Sequence, residues 1–185
     1  MINSLLTAAM LSAVVAADFG YGIFHLSASV LGNDLTPSVA GLELQFFHPG
    51  SNRHPCVSGD FFFAAAGTNF STTTPARNVG IAPIDGDSNG WYAGLLITPG
   101  GTATVPSLNT VQGICDQLGT ADIYQAPLST DTYGLIFEDG AWMACPRKVL
   151  QLPGNPSEVI LSYKKAGQRT IQGCADINLV LKGVL

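Results

Sequence analysis

Three observations predict an all-β fold for this chain: an antiparallel β-sandwich or barrel with two disulfides and little helix. Apolar side chains recur at every second position in a series of short runs. Each run is bounded by Gly, Pro, Asn, Asp or Ser. Past the leader, no stretch sustains the periodicity of a long amphipathic helix. A chain with one apolar side chain in every two can place them on a single face only when it is extended.

The runs follow in order. Phe24, Leu26, Ala28 and Val30 alternate with His25, Ser27 and Ser29, and Leu42, Leu44 and Phe46 alternate with Glu43 and Gln45. Phe61 to Ala66 is continuously apolar and short, as in a strand buried on both faces. Trp91 to Ile97 is aromatic and aliphatic and is stopped by Pro99-Gly100-Gly101. Ala121 to Ala126, Gly134 to Phe137, Ala141 to Cys145, Val159 to Tyr163 and Ile177 to Leu181 complete the set. A few residues near Thr110 to Leu118 are compatible with one helical turn or a short helix, and the polar stretch Gly67 to Pro75 is expected to be an exposed loop. Many short strands at this spacing imply a sandwich or barrel.

Met1 to Ala17 stands apart. It carries no charged side chain, holds Leu5, Leu6, Met10, Leu11, Val14 and Val15, and closes in Ala16-Ala17. An apolar core followed by small residues is the pattern of a secretory signal peptide, with cleavage expected after Ala17. The segment is short for a bilayer core of about 30 Å. Residues 18–185 then form one exported domain, with no membrane span.

Composition narrows the partners. Charged residues make up 11% of the chain and the formal net charge is −5. Arg53 and Arg77 are the only basic residues before Arg147. A nucleic-acid partner needs several Lys or Arg on one face, so none is expected. The basic residues of the last quarter read as a solubilising face.

Four cysteines, Cys56, Cys115, Cys145 and Cys174, survive cleavage. An even count in an exported chain reads as two disulfides. Cys145 with Cys174 is the favoured pair, because the runs carrying them flank one intervening run. That leaves Cys56 with Cys115. No C-x-x-C spacing suggests a zinc site.

Few motifs carry chemistry. Asp85, Asp87 and Asn89, with Gly90 following, match the first half of a calcium-binding loop. Leu96 stands where the bidentate Glu belongs, so the stretch reads as a turn, with weak calcium binding as the alternative. His48, His54 and Cys56 share a Pro- and Gly-rich segment and read as loop residues. His25 falls on the polar side of its run, exposed or hydrogen-bonded. Asn69-Phe70-Ser71 is an N-glycosylation sequon. Neither a Gly-x-Ser-x-Gly elbow nor a His-Glu-x-x-His helix occurs. Glu138 and Asp139, read as strand neighbours, would point to opposite faces and could not serve together as a glycosidase pair. Trp91 and Tyr92 are the candidates for stacking on sugar rings. Trp142, beside Met143 and Cys145, is expected to pack in the core against a disulfide.

The leader, the strand Phe24-His25-Leu26-Ser27-Ala28-Ser29, Pro55-Cys56, Ile123-Tyr124-Gln125-Ala126-Pro127, Gly140-Ala141-Trp142-Met143-Ala144-Cys145-Pro146 and the last cysteine Cys174 together resemble the small secreted fungal cell-wall proteins of the PhiA type. That resemblance implies a fungal extracellular or wall-associated protein without a known catalytic site, and it carries no functional residue across. The expectation is therefore a secreted, non-enzymatic structural or effector-like protein without a cofactor. Its partner would be a cell-wall polysaccharide or a host surface protein. A lectin-like carbohydrate-binding module is the second reading, and a secreted glycoside hydrolase the third.

Overall fold

The structure is a computed structural model that describes residues 23–46, 58–73, 78–81, 93–98, 100, 105–115 and 117–183. Among these, twelve strands form one antiparallel sheet: β1 (Phe24–Val30), β2 (Glu43–Phe46), β3 (Gly59–Ala64), β4 (Phe70–Thr73), β5 (Asn78–Ile81), β6 (Ala93–Thr98), β7 (Thr110–Cys115), β8 (Ile123–Pro127), β9 (Tyr133–Phe137), β10 (Ala141–Pro146), β11 (Val159–Lys164) and β12 (Ala175–Gly183). The only helical element among the described residues is a single 3₁₀ turn, Pro106–Leu108. The all-β expectation is met.

The pairings close on themselves. β1 pairs with β12 over its whole length, from Phe24↔Gly183 to Val30↔Ile177. β12 pairs with β10, β10 with β11, β11 with β3, β3 with β2, and β2 returns to β1 at Ser27↔Glu43. This circuit is a barrel, and closure removes the open edges a sandwich would have to protect. A second path leaves β1 at Phe24↔Phe70 and runs through β4, β5, β6 and β7 to rejoin β3 and β11. The β8–β9 hairpin hangs from β12 at Leu179↔Leu135.

Two expectations of secondary structure are corrected first. Thr110–Cys115 is not helical: it forms β7, which pairs with β6 from Ala93↔Cys115 to Thr98↔Thr110. Thr110, Val111 and Ile114 are β-branched and fit a pleated surface better than a helix. Gly113 passes under the Phe46 ring, where a Cβ would lie 2.3 Å from Cε2. Nor is Gly67 to Pro75 a loop throughout, because Phe70–Thr73 forms β4. Phe70 is fully buried, with its ring 5.8 Å from Phe61 and 6.4 Å from Phe24, and this anchors the polar segment to the barrel.

The core explains the apolar runs. β10 and β11 are covered on both faces. Trp142, Ala144, Leu161 and Tyr163 face the main core, whereas Met143, Cys145 and Ile160 pack with Leu150 and Ile171 in a second cluster. Trp142 is buried as expected, but not against a disulfide. Alternation turns it away from Cys145, toward Tyr163 at 5.3 Å between ring centres, and its indole N–H donates to the Leu135 carbonyl at 2.6 Å. Glu138 and Asp139 occupy the turn between β9 and β10, and Glu138 has a φ of 47°. Their expected strand geometry therefore does not apply.

The favoured disulfide forms. Ala144↔Ala175 places Cys145 beside Cys174, and the two are bonded with Cα atoms 4.3 Å apart. Cys115 is also disulfide-bonded, and its expected partner Cys56 lies outside the described residues. No helix among the described residues is long and apolar enough to cross a membrane.

Candidate functional site

Three clusters of described side chains contain ion pairs, and the one on the outer wall of β1 brings together the most chemistry. Strand alternation sends Phe24 and Leu26 into the core and His25 outward between two neighbouring strands. On one side β12 places Lys182 opposite His25. On the other, the Phe24↔Phe70 pairing brings Asn69 alongside. Glu43, at the start of β2, faces Ser27 and leans toward the same point.

His25 is held from both ring nitrogens. Nδ1 lies 2.9 Å from Glu43 Oε2, and Nε2 donates to Asn69 Oδ1 at 2.7 Å. Glu43 Oε2 also accepts the Gly67 N–H at 2.9 Å, and its other oxygen lies 3.7 Å from Lys182 Nζ. Gly67 is required there, because a Cβ would come within 2.8 Å of Glu43 Cβ. Partial burial works to raise the Glu43 carboxyl; the Gly67 N–H, the hydrogen bond and charge of His25 and, last, Lys182 outweigh it and hold the group below the usual carboxylate range.

The other two clusters brace loops. Arg147 donates to Glu158 through Nε at 2.8 Å, to Asp60 on β3 at 2.7 Å and to the Pro153 carbonyl at 2.8 Å. Burial opposes the Arg147 charge, but Glu158 and Asp60 prevail and raise its pKa further. Gln112 Nε2 reaches Asp60 at 3.2 Å, so the segment after β10 is tied to β3 and β7. Lys164 pairs with Asp176 at 2.8 Å and donates to Thr170 Oγ1, which in turn donates to the same aspartate. Of these side-chain bridges, Arg147–Asp60 and Gln112–Asp60 join elements distant in sequence. Among the described residues no group of three or more His, Cys, Asp and Glu side chains is arranged to hold a metal ion.

A family model described as a domain of unknown function (DUF7907) matches residues 22–182. The chain belongs to this family. The match runs from just ahead of β1 to the penultimate residue of β12, so the whole barrel of the DUF7907 domain is included. Comparison with curated proteins and with solved structures found no match.

Of the site residues expected from the sequence, Asn69, Cys115, Cys145 and Cys174 lie in the described part of this DUF7907 domain. Trp91 and Tyr92, Asp85, Asp87 and Asn89, His48 and His54, and Cys56 lie outside it. His25 is partly buried and hydrogen-bonded, in keeping with its place on the polar side of β1. Sequence reasoning did not single out Glu43, Lys182 or Arg147. The polar position of Glu43 within Leu42-Glu43-Leu44 was visible. Its convergence with Asn69 depends on β4, whose Ser71, Thr72 and Thr73 carry no apolar alternation.

Proposed function

We propose that this DUF7907 domain works outside the cytosol as a non-enzymatic structural or interaction protein of a cell wall or host surface, with wall polysaccharide as its partner class. The observation that carries the reading is how the partly buried charges are used. Arg147, Lys164 and His25 are each engaged by carboxylates that join separate strands or loops. Groups consumed in this way brace a scaffold and are not poised to transfer protons to a substrate. The Cys145–Cys174 bond supports the same reading, since structural disulfides belong to oxidising compartments. The apolar leader and the resemblance to PhiA-type fungal wall proteins point the same way.

The test is fractionation of cultures of the producing organism. The expected product lacks residues 1–17, has no free thiol and is recovered with the medium or the wall. A chain retaining Met1, with four free thiols in the cytosol, overturns the proposal. A pull-down on purified wall polysaccharides addresses the partner: retention abolished by Tyr92→Ala moves the reading to a lectin-like module, and glycan release by the pure protein replaces it with a hydrolase.

A further inference from the structure

We infer that Asn69 carries an N-linked glycan whose attachment nitrogen is turned outward by the hydrogen bond to His25, so that the sugar stands on the outer wall of the barrel over the His25–Glu43 pair. The inference rests on the export proposed above and adds to it a specific modification and its geometry.

The sequon Asn69-Phe70-Ser71 has its middle residue anchored. Phe70 is fully buried between Phe24 and Phe61. Alternation then sends Asn69 and Ser71 to the outer face, and both are partly exposed. The transferase acts on extended chain before folding, so the fold needs only to accommodate the product. Glycosylation uses one amide atom. Nδ2 forms a bond to the anomeric carbon of a lipid-linked oligosaccharide, that carbon's bond to the phosphate of the carrier breaks, the lipid pyrophosphate leaves, and one Nδ2 proton is released to solvent. Oδ1 takes no part. In the folded domain Oδ1 is the atom that accepts from His25 Nε2 at 2.7 Å, and His25 is in turn fixed by Glu43. The hydrogen bond therefore survives the modification, and the planar amide points Nδ2 away from the imidazole.

Translation of the full chain in the presence of endoplasmic-reticulum microsomes tests this, because protease protection reports translocation and an endoglycosidase-sensitive mobility shift reports the glycan. The expected result is a protected chain with one glycan's shift, which is lost in Asn69→Gln and in Ser71→Ala and kept in Ser71→Thr. A protected chain without the shift, or a shift that persists in Asn69→Gln, overturns the inference and leaves export standing. An unprotected chain overturns export, and the glycan with it. On purified exported protein, the endoglycosidase is expected to release the sugar without denaturation. Release only after unfolding overturns the outward orientation.

Discussion

Tyr163 offers a test in which one substitution should change sign with pH. It has no exposed surface, and its hydroxyl donates to the Phe137 carbonyl at 2.7 Å. Burial first, then the charges of Glu138 and Asp139, raise its pKa from 10.0 to about 12 against a lowering contribution from the Gly140 backbone. The folded state thus holds the phenolic proton more tightly than the unfolded chain. The resulting stability is complete below the unfolded pKa near 10 and is lost as pH rises through the folded value near 12. A shift of that size corresponds to roughly 2.7 kcal/mol in full, of which about 1.4 kcal/mol has gone by about pH 11. Tyr163→Phe removes the hydroxyl and leaves the Phe137 carbonyl with the Gly140 N–H at 3.4 Å. Its cost at neutral pH is about 1–1.5 kcal/mol, the worth of one buried hydrogen bond. Phenylalanine does not ionise, so the mutant escapes the alkaline loss. The two stability curves should cross near about pH 11, and above that the mutant should be the more stable protein. Urea unfolding followed by tryptophan fluorescence at a series of pH values measures the difference, and the other tyrosines cancel in the comparison. A constant offset between the two proteins from neutral to about pH 11.5 would refute the reasoning.

Three further outcomes follow from the packing. Gly140→Ala would put a Cβ 1.8 Å from the Tyr163 hydroxyl and 2.5 Å from the Lys164 carbonyl; a loss of about 3 kcal/mol or more in urea unfolding is expected, and a neutral effect would contradict this packing. Replacing Cys145 and Cys174 together by Ala opens a bond spanning 29 residues, and the chain-entropy relation gives a loss of about 3.5 kcal/mol, read as a lower thermal midpoint that no longer responds to reductant at this site. Arg147→Met leaves Asp60 and Glu158 without their shared cation and should cost about 2–3 kcal/mol; amide exchange should quicken between Pro146 and Glu158 before it does in the barrel strands.

Period-two alternation made β1, β2, β10, β11 and β12 legible, because each packs one face, or both, against a continuous core. It failed at β4, β5 and β7. β5 is only four residues, all buried, with Gly80 among them, so it shows no alternation. β4 has a single core residue, Phe70, among Ser and Thr, so its pattern is that of a polar loop until the rings of Phe24 and Phe61 are placed around it. β7 contains Gly113, a usual strand breaker, which is there because the Phe46 ring occupies the space of its side chain. Closure into a barrel was not legible either. It depends on β12 meeting β1, a pairing between the two ends of the described chain that no local pattern encodes. The Cys145–Cys174 bond was readable because it depends only on neighbouring runs, β10 and β12. The outer-wall cluster was half readable: His25 and the sequon were visible as separate signals, but their meeting needs β1 and β4 in register.

The placement of charge connects these facts to the functional reading. With 11% charged residues, the chain has few ion pairs to distribute, and those of His25 and Arg147 sit where strand pairing is short. β2 meets β1 at a single residue pair, and β4 meets β1 at another. His25, Glu43 and Asn69 bridge those two junctions with hydrogen bonds of 2.7–2.9 Å. β11 likewise pairs with β3 in the ladder only at Ile160↔Phe62, and Arg147 joins β3 to the segment between β10 and β11. An exposed ion pair contributes little, but a partly buried one with directed hydrogen bonds fixes register where the backbone ladder is short. Charges engaged in this way hold register, which supports the scaffold role proposed above.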